Sequence, residues 1–261
     1  MSGSDEGANV SRLVTFLGTG NYEEVVYRLG SREAPKTRYV CRALSDAKIF
    51  GPSDIAVLAT EEAEQRHGDA LKEALRAGNC PTPRFVRIPI GREPGELWQQ
   101  FDVIKAELRG GKGPIMLDIT HGFRSQPFFA ASVATFVHAV DQKPPDLRVC
   151  YAAYEAKDPD TGVAPIWELS AFVSLLDWSR ALAIFLKTGR AEEAGAATER
   201  LGRALAKAWA NGRKDGERPS LDKLGAALRD FGADLETLRT GDLLIDREAT
   251  SSSASNPLYS P

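Results

Sequence analysis

Between residues 13 and 152 the chain alternates two patterns. Short runs that are apolar at almost every position are followed by longer stretches with apolar residues three or four apart. The runs are Leu13-Val-Thr-Phe-Leu17, Ile55-Ala-Val-Leu-Ala59, Phe85-Val-Arg-Ile88, Pro114-Ile-Met-Leu-Asp118 and Leu147-Arg-Val-Cys-Tyr-Ala152. Each predicts a strand, and several are apolar throughout, which favours strands covered on both faces, because a strand with one wet face alternates apolar and polar positions. The stretches between them predict helices over 60–77, 93–108 and 123–140. The first opens with Glu61 and Glu62 and stops at Gly78-Asn79; the second aligns Leu97, Phe101, Ile104 and Leu108 on one face and stops at Gly110-Gly111. Two further β-rich pieces, 25–27 and 38–42, flank Gly30 and Pro35 and predict a hairpin.

Strands separated by helices imply an α/β fold: a mostly parallel sheet with helices on both faces and right-handed crossovers. Ligands on such sheets bind beyond the carboxyl ends of the strands. From about Ser170 the pattern changes to helix over 170–187, 190–211 and 219–240, with no further strand expected. The resulting division is a polar start expected to lack order (1–11), an α/β domain (12–169), a helical segment (170–245) and a Ser/Asn/Pro-rich tail also expected to lack order (246–261).

Composition narrows the function. The 261 residues are 43% hydrophobic and 26% charged, which fits a globular protein rather than a disordered or collagen-like chain. A net charge of −3 supplies no global basic field, so no long nucleic acid is expected as a partner of this chain alone. Cys41, Cys80 and Cys150 are widely spaced and form no CxxC pair. Neither a metal site nor a disulfide framework is therefore expected, and the reducing cytoplasm is the expected compartment. The start MSGSDEGANV has no signal-peptide pattern, and no apolar run is long enough to span a bilayer; the longest is broken by Ser132, Thr135 and His138.

Two loops at strand ends carry candidate chemistry. Asp118-Ile-Thr-His-Gly-Phe-Arg-Ser125 runs from a strand into a helix, where unpaired backbone N–H groups and the positive helix end suit a phosphate. Gly122 would admit close approach of a ligand. Thr120 and Ser125 offer hydroxyls, Arg124 a guanidinium fork, and His121 a donor to phosphate or ribose. His121 and Arg124 are expected on an exposed loop. Gly18-Thr-Gly-Asn-Tyr22 also follows a strand. The same residues also fit plain capped turns, with Asp118 or Thr120 satisfying local backbone. GTGN is not GxGxxG, and there is no P-loop and no GxSxG elbow. Glu61, Glu62, Glu64 and His67 read as a solvated helix face. His138, Trp98, Phe101, Trp178, Phe185 and Leu205 read as packing positions.

The stretch LDITHGFRS resembles the DxTHG signature of a CRISPR-associated family that joins a CARF domain, a Rossmann-like fold, to a helical HEPN ribonuclease domain. FLGTGNYEEVVY, IPIGREPGELWQQFDVI and YAAYEAKDPDTGVAPIWELSAFVSLLDWSRALAIFLKTG are similar to other family segments, so the resemblance runs from about residue 13 to about 190. It implies a homodimer that binds a cyclic oligoadenylate around its two-fold axis, cyclic tetra-adenylate first and hexa-adenylate second, in type III CRISPR antiviral defence. By the same resemblance Gly18, Thr19, Gly20, Asn21 and Tyr22 line the pocket, together with Asp118, Thr120, His121, Gly122, Phe123, Arg124 and Ser125. No cofactor is implied.

The chain departs from the family in one respect. The ribonuclease motif RxxxxH is missing: the three histidines, His67, His121 and His138, have Glu62, Met116 and Val133 five positions earlier. The helical segment is therefore HEPN-like but incomplete. Three functions stay open: a sensor without ribonuclease activity; a metal-independent ring nuclease using Thr120, His121 or Arg124; and a Rossmann-like enzyme with a nucleotide cofactor. A ligand-activated ribonuclease remains a further alternative if a missing C-terminal part carries the site.

Overall fold

A computed structural model describes residues 10–122, 125–141, 143–211 and 220–236. Contacts divide the described chain into one unit reaching Val173, joined by 208–211, and a second made of 174–207 and 220–236.

The first unit is an α/β sandwich. Its strands are β1 (Arg12–Leu17), β2 (Val26–Leu29), β3 (Arg32–Glu33), β4 (Asp54–Ala59), β5 (Arg84–Arg87), β6 (Ile115–Asp118), β7 (Leu147–Ala152) and β8 (Val163–Glu168). Its helices are α1 (Val40–Leu44), α2 (Glu61–Ala77), α3 (Pro94–Arg109) and α4 (Gln126–Val140), and α5 (Ser170–Thr188) begins here. The eight strands form one sheet in the order β3-β2-β8-β7-β6-β1-β4-β5. The five strands from β7 to β5 are all parallel; β8 runs antiparallel to β7, and β2 is parallel to β8. The fold is therefore mixed α/β and Rossmann-like, with a mostly parallel sheet.

The wholly apolar strands are explained by two separate cores. Leu13, Leu17, Ile55 and Val57 pack on one face with Val40 and Leu44 of α1 and Leu71 and Leu75 of α2. Val14, Phe16, Ala56 and Leu58 pack on the other face with Ile104 and Leu108 of α3 and Val133 and Val137 of α4. Successive residues of one strand feed opposite layers, so both parities must be apolar. The strand order reverses between β1 and β6, because β4 and β5 continue on one side of β1 and β6 and β7 on the other. The loops after β1 and β6 flank this switch point.

Four expectations need correction. Residues 38–42 do not form a strand. The chain turns helical at Val40, and β2 pairs instead with the two residues of β3 across Gly30, whose φ of 60° suits glycine. β8 was missed because Pro165 reads against a strand; there its carbonyl accepts from the Ala153 N–H at 2.9 Å. Ordered chain begins before residue 12: Val10 is buried, and the Ser11 N–H donates to the Pro114 carbonyl at 2.8 Å. Trp98 is exposed and packs edge-on against Phe101 rather than lying in the core. Residues 1–9 and the tail 246–261 lie outside the described residues.

The second unit contains most of α5 with α6 (Glu192–Asn211) and α7 (Asp222–Glu236). Trp178 of α5 donates its indole N–H to Thr198 Oγ1 of α6 at 2.9 Å. α6 and α7 cross closely at Gly195 and Gly225; a Cβ on Gly195 would stand 2.7 Å from Arg229 Cγ.

The turn from β8 into α5 is held by a buried ion pair. Arg148 on β7 forks onto both carboxylate oxygens of Glu168 at 3.0 Å, with the two side chains 8% and 5% exposed. Arg148 also lies over the Phe50 ring at 5.0 Å. Ser170 Oγ donates to Glu168 and accepts from the Val149 N–H. Removing one partner strands a buried charge, which costs far more than the pair contributes. Glu168→Ala is expected to lower unfolding free energy in urea by about 3–5 kcal/mol, whereas the double variant Arg148→Met with Glu168→Leu recovers most of that loss.

Candidate functional site

The carboxyl end of β6 is organised by a buried carboxylate. Thr15 of β1 sits beside Asp118 in the parallel register, and both are 0% exposed. Thr15 Oγ1 donates to Asp118 Oδ2 at 2.7 Å; Thr120 Oγ1 and the Thr120 N–H donate to Oδ1 at 2.5 and 3.0 Å. Thr120 Oγ1 in turn accepts from the Ala152 N–H at the end of β7. One side chain thus ties the ends of β1, β6 and β7 and sets the direction in which the chain leaves the sheet. Burial pushes the Asp118 carboxyl above its ordinary value, opposed by the hydrogen bonds from Thr120 and Thr15.

This geometry reassigns two residues expected to line a pocket. Asp118 is enclosed, and the Thr120 hydroxyl is engaged on both sides. Both position the loop rather than meet a ligand. Gly122 also has a local reason: a Cβ there would lie 2.8 Å from Gln126 Oε1 and 3.5 Å from the Phe16 ring. Phe123 and Arg124 lie outside the described residues. Ser125 is exposed and caps α4 by position, without a side-chain capping bond.

The two candidate loops meet. A Cβ on Gly18 would stand 2.7 Å from the His121 carbonyl oxygen, so only glycine permits this approach. The Tyr22 ring stacks on the His121 ring with centroids 4.0 Å apart, and the Tyr22 hydroxyl accepts from the Gly18 N–H at 3.0 Å. Burial raises the Tyr22 phenol to about 12, so it stays protonated. Thr19 is half-buried, while Gly20 and Asn21 are exposed at the tip.

His121 is not on an exposed loop. It is half-buried, and its Nε2 accepts from the Val40 N–H at 3.4 Å. The proton of the neutral ring is therefore on Nδ1, and no described group accepts from it. Burial, reinforced by His67, lowers the His121 pKa to about 4, so near neutral pH the ring is an uncharged donor.

Three residues that sequence reasoning placed elsewhere or passed over belong to this cluster. His67 of α2 is no idle member of a solvated face: its Nε2–H donates to the Gly20 carbonyl at 2.9 Å, and its ring lies 4.8 Å from Tyr22. Tyr39 packs edge-on against Tyr22 and reaches His67 Nδ1 at 3.4 Å. Arg66 donates to Asn21 Oδ1 at 2.6 Å. Of the cations around the first loop, Arg38 faces Glu24 at 3.6 Å and Lys157 faces Glu23 at 3.8 Å, whereas Arg66 is held by a neutral amide. The threonine inside the apolar β1 run was a readable signal for a buried polar partner. Nothing in the spacing of His67 pointed to Gly20.

A cleft of about 600 Å³ opens on the same sheet edge but farther along, beyond β4 and β5. Thr60, Glu61, Gln65, Arg87, Ile90 and Arg92 are among its lining residues, and none of the predicted loop residues line it. Among the described residues no cluster of His, Cys, Asp and Glu could hold a metal, and no helix is long and apolar enough to cross a membrane.

The low His121 pKa has a measurable consequence. A base depressed on folding contributes stability that is complete above its unfolded pKa, near 6.5, and is lost as pH falls towards about 4. His67 is lowered in the same direction by its own burial. The wild-type urea midpoint is expected to fall between pH 7 and pH 5, and His121→Gln is expected to flatten that dependence. The His121 ring resonance should still report a mainly neutral ring at pH 5. No protein-family model matches the chain, and a search of curated proteins finds no match either.

Proposed function

We propose that the chain is a sensor of cyclic oligoadenylate, with cyclic tetra-adenylate the first candidate and hexa-adenylate the second. It would serve type III CRISPR defence and bind the ring across the axis of a homodimer. The observation that carries this reading is the convergence of two polar loops at the sheet's switch point, where His121 packs against Gly18 and Tyr22 with an Nδ1–H that no described group accepts. A cyclic oligonucleotide offers phosphate and ribose acceptors to such donors, and the Arg66 charge, held only by an amide, suits its anionic backbone.

Binding is favoured over cleavage of the ring. The Thr120 hydroxyl is engaged between Asp118 and Ala152, and a histidine of pKa about 4 is a poor general acid near neutrality. A dinucleotide-cofactor enzyme is disfavoured because the first loop does not open a helix. It leads through a Tyr22-closed turn to β2, so no helix start lies there to receive a pyrophosphate.

Calorimetric titration with cyclic tri-, tetra- and hexa-adenylate tests the reading, with the recovered ligand chromatographed. One intact ring per two chains is expected. Recovery of linear or cyclic-phosphate fragments would move the protein to the ring nucleases, and absence of binding to all three rings would sink the assignment. Arg124→Ala is expected to weaken binding by about 1–3 kcal/mol through a lost phosphate contact. His121→Phe, which can still stack on Tyr22, should weaken it by roughly tenfold through the lost donor.

A further inference from the structure

Strand β5 ends the sheet on one side, and no described strand lies beyond it. It pairs in parallel with β4, with Val57 beside Phe85 and Ala59 beside Arg87. The N–H of Ile88, the next residue, donates to the Ala59 carbonyl at 3.0 Å, so the even positions turn their backbone groups towards β4. By alternation, Phe85 and Arg87 each turn an N–H and a C=O outwards. The loop that follows is treated differently. Gln100 of α3 donates to the Pro89 carbonyl at 2.8 Å, and the Glu96 carboxylate accepts from the Gly91 and Arg92 N–H groups, both at 2.8 Å. Helix α3 thus satisfies the loop and leaves the edge of the strand open.

An open edge is commonly guarded by charged side chains standing across it. Here both guards are drawn aside. Arg84 forks onto Glu107 of α3 at 3.0 and 2.7 Å, and Arg87 is held by Glu61 and Glu64 of α2 at 2.8 and 3.4 Å. One arginine therefore leans to each helical layer, and neither blocks the backbone between them.

The cleft of about 600 Å³ begins where this strand ends, with Arg87 and Ile88 in its wall. Pro89 and Ile90 give it an apolar side, and Ile90 is 43% exposed. The rest of the lining is acidic on balance. Glu61, Glu62 and Glu96 line it and Glu64 stands against Arg87, so carboxylates outnumber the guanidinium groups of Arg87 and Arg92 by four to two. The Gly91 and Arg92 N–H groups hold the Glu96 carboxyl below its ordinary value, which keeps it charged. Glu62 is exposed, and no described cation pairs with it.

We propose that the open edge of β5 and the adjoining cleft dock an extended segment of a partner protein that carries lysine or arginine. The segment adds as a strand along Phe85 and Arg87 and places a basic side chain in the cleft. The aliphatic stem of that side chain lies along Pro89 and Ile90 while its charge reaches Glu62. The surplus of carboxylates selects such a segment over an acidic one. Neither the cyclic ligand nor a second copy of the chain enters into this docking, and the loops at 18–22 and 118–125 do not line the cleft.

The probe is an acetylated, amidated pentapeptide of alternating valine and lysine, titrated into the full chain and followed by amide NMR. Saturable binding in the micromolar range is expected, with shifts and slower hydrogen exchange at the Phe85 and Arg87 amides. The same peptide with glutamate in place of lysine should bind roughly tenfold more weakly. So should the lysine peptide with its amides N-methylated, which keeps the charge but cannot complete a ladder. Glu62→Lys, an exposed change, should reverse the preference between the lysine and glutamate peptides and leave the circular dichroism spectrum unchanged. No response at Phe85 and Arg87 with any peptide, equal binding of the glutamate peptide, or undiminished binding of the N-methylated peptide would each overturn the proposal. Binding of cyclic tetra-adenylate should be the same in Glu62→Lys as in the wild type, so either reading can fail while the other stands.

Discussion

The ends of three neighbouring strands depend on one carboxylate. Asp118 is enclosed between β1 and β7, and Thr15, Thr120 and the Thr120 backbone all donate to it. A buried carboxylate is tolerated only when donors replace its water, and here they come from the same elements that must be held in register. The geometry of the second loop follows. With Thr120 locked between Asp118 and Ala152, the next residue, His121, reaches Tyr22 and the Val40 N–H. The loop that looked like a uniform string of polar groups is divided: Asp118 and Thr120 are tied into the sheet, and His121 turns to the first loop.

The histidines show how enclosure selects chemistry. An imidazole in water is half charged near pH 6.5 and can serve as acid, base or cation. His121 lies under Tyr22, and His67 is wedged between Gly20 and Tyr39; burial lowers the pKa of both, helped at His121 by His67 and at His67 by the Arg66 and Arg38 charges. A neutral ring with one nitrogen occupied has one fixed donor and little ability to move a proton.

The α/β architecture was legible in the sequence because apolar runs with both parities filled can only be strands between two helical layers. Leu13, Val14, Phe16 and Leu17 divide between the two cores as that argument requires. The wrongly read hairpin and the missed β8 have a common cause. Short segments such as 38–42 and 163–168 carry no period strong enough to tell strand from turn, and β8 in addition holds Pro165 and pairs with β2, distant in sequence. At the site, the meeting of the two loops followed from topology, since both leave adjacent parallel strands. The roles within them did not. Only tertiary contact reveals that Asp118 faces Thr15, that Gly122 lies against Gln126, and that His67 of α2 reaches the first loop.

The long excursion between β1 and β4 bears on the order in which the molecule is completed. β2 leaves the middle of the sheet and pairs with β8, with Val26 beside Val163, so its only neighbour besides the two residues of β3 is made 137 residues later. Such a pairing carries a large loop-closure entropy and forms late. The loop at 18–22 leads directly into β2 and inherits that delay. Although its residues are among the first to be synthesised, this edge of the sheet is finished only when the chain has emerged past residue 168. A nascent or clipped protein ending earlier would carry a sheet with an open edge and no anchored first loop.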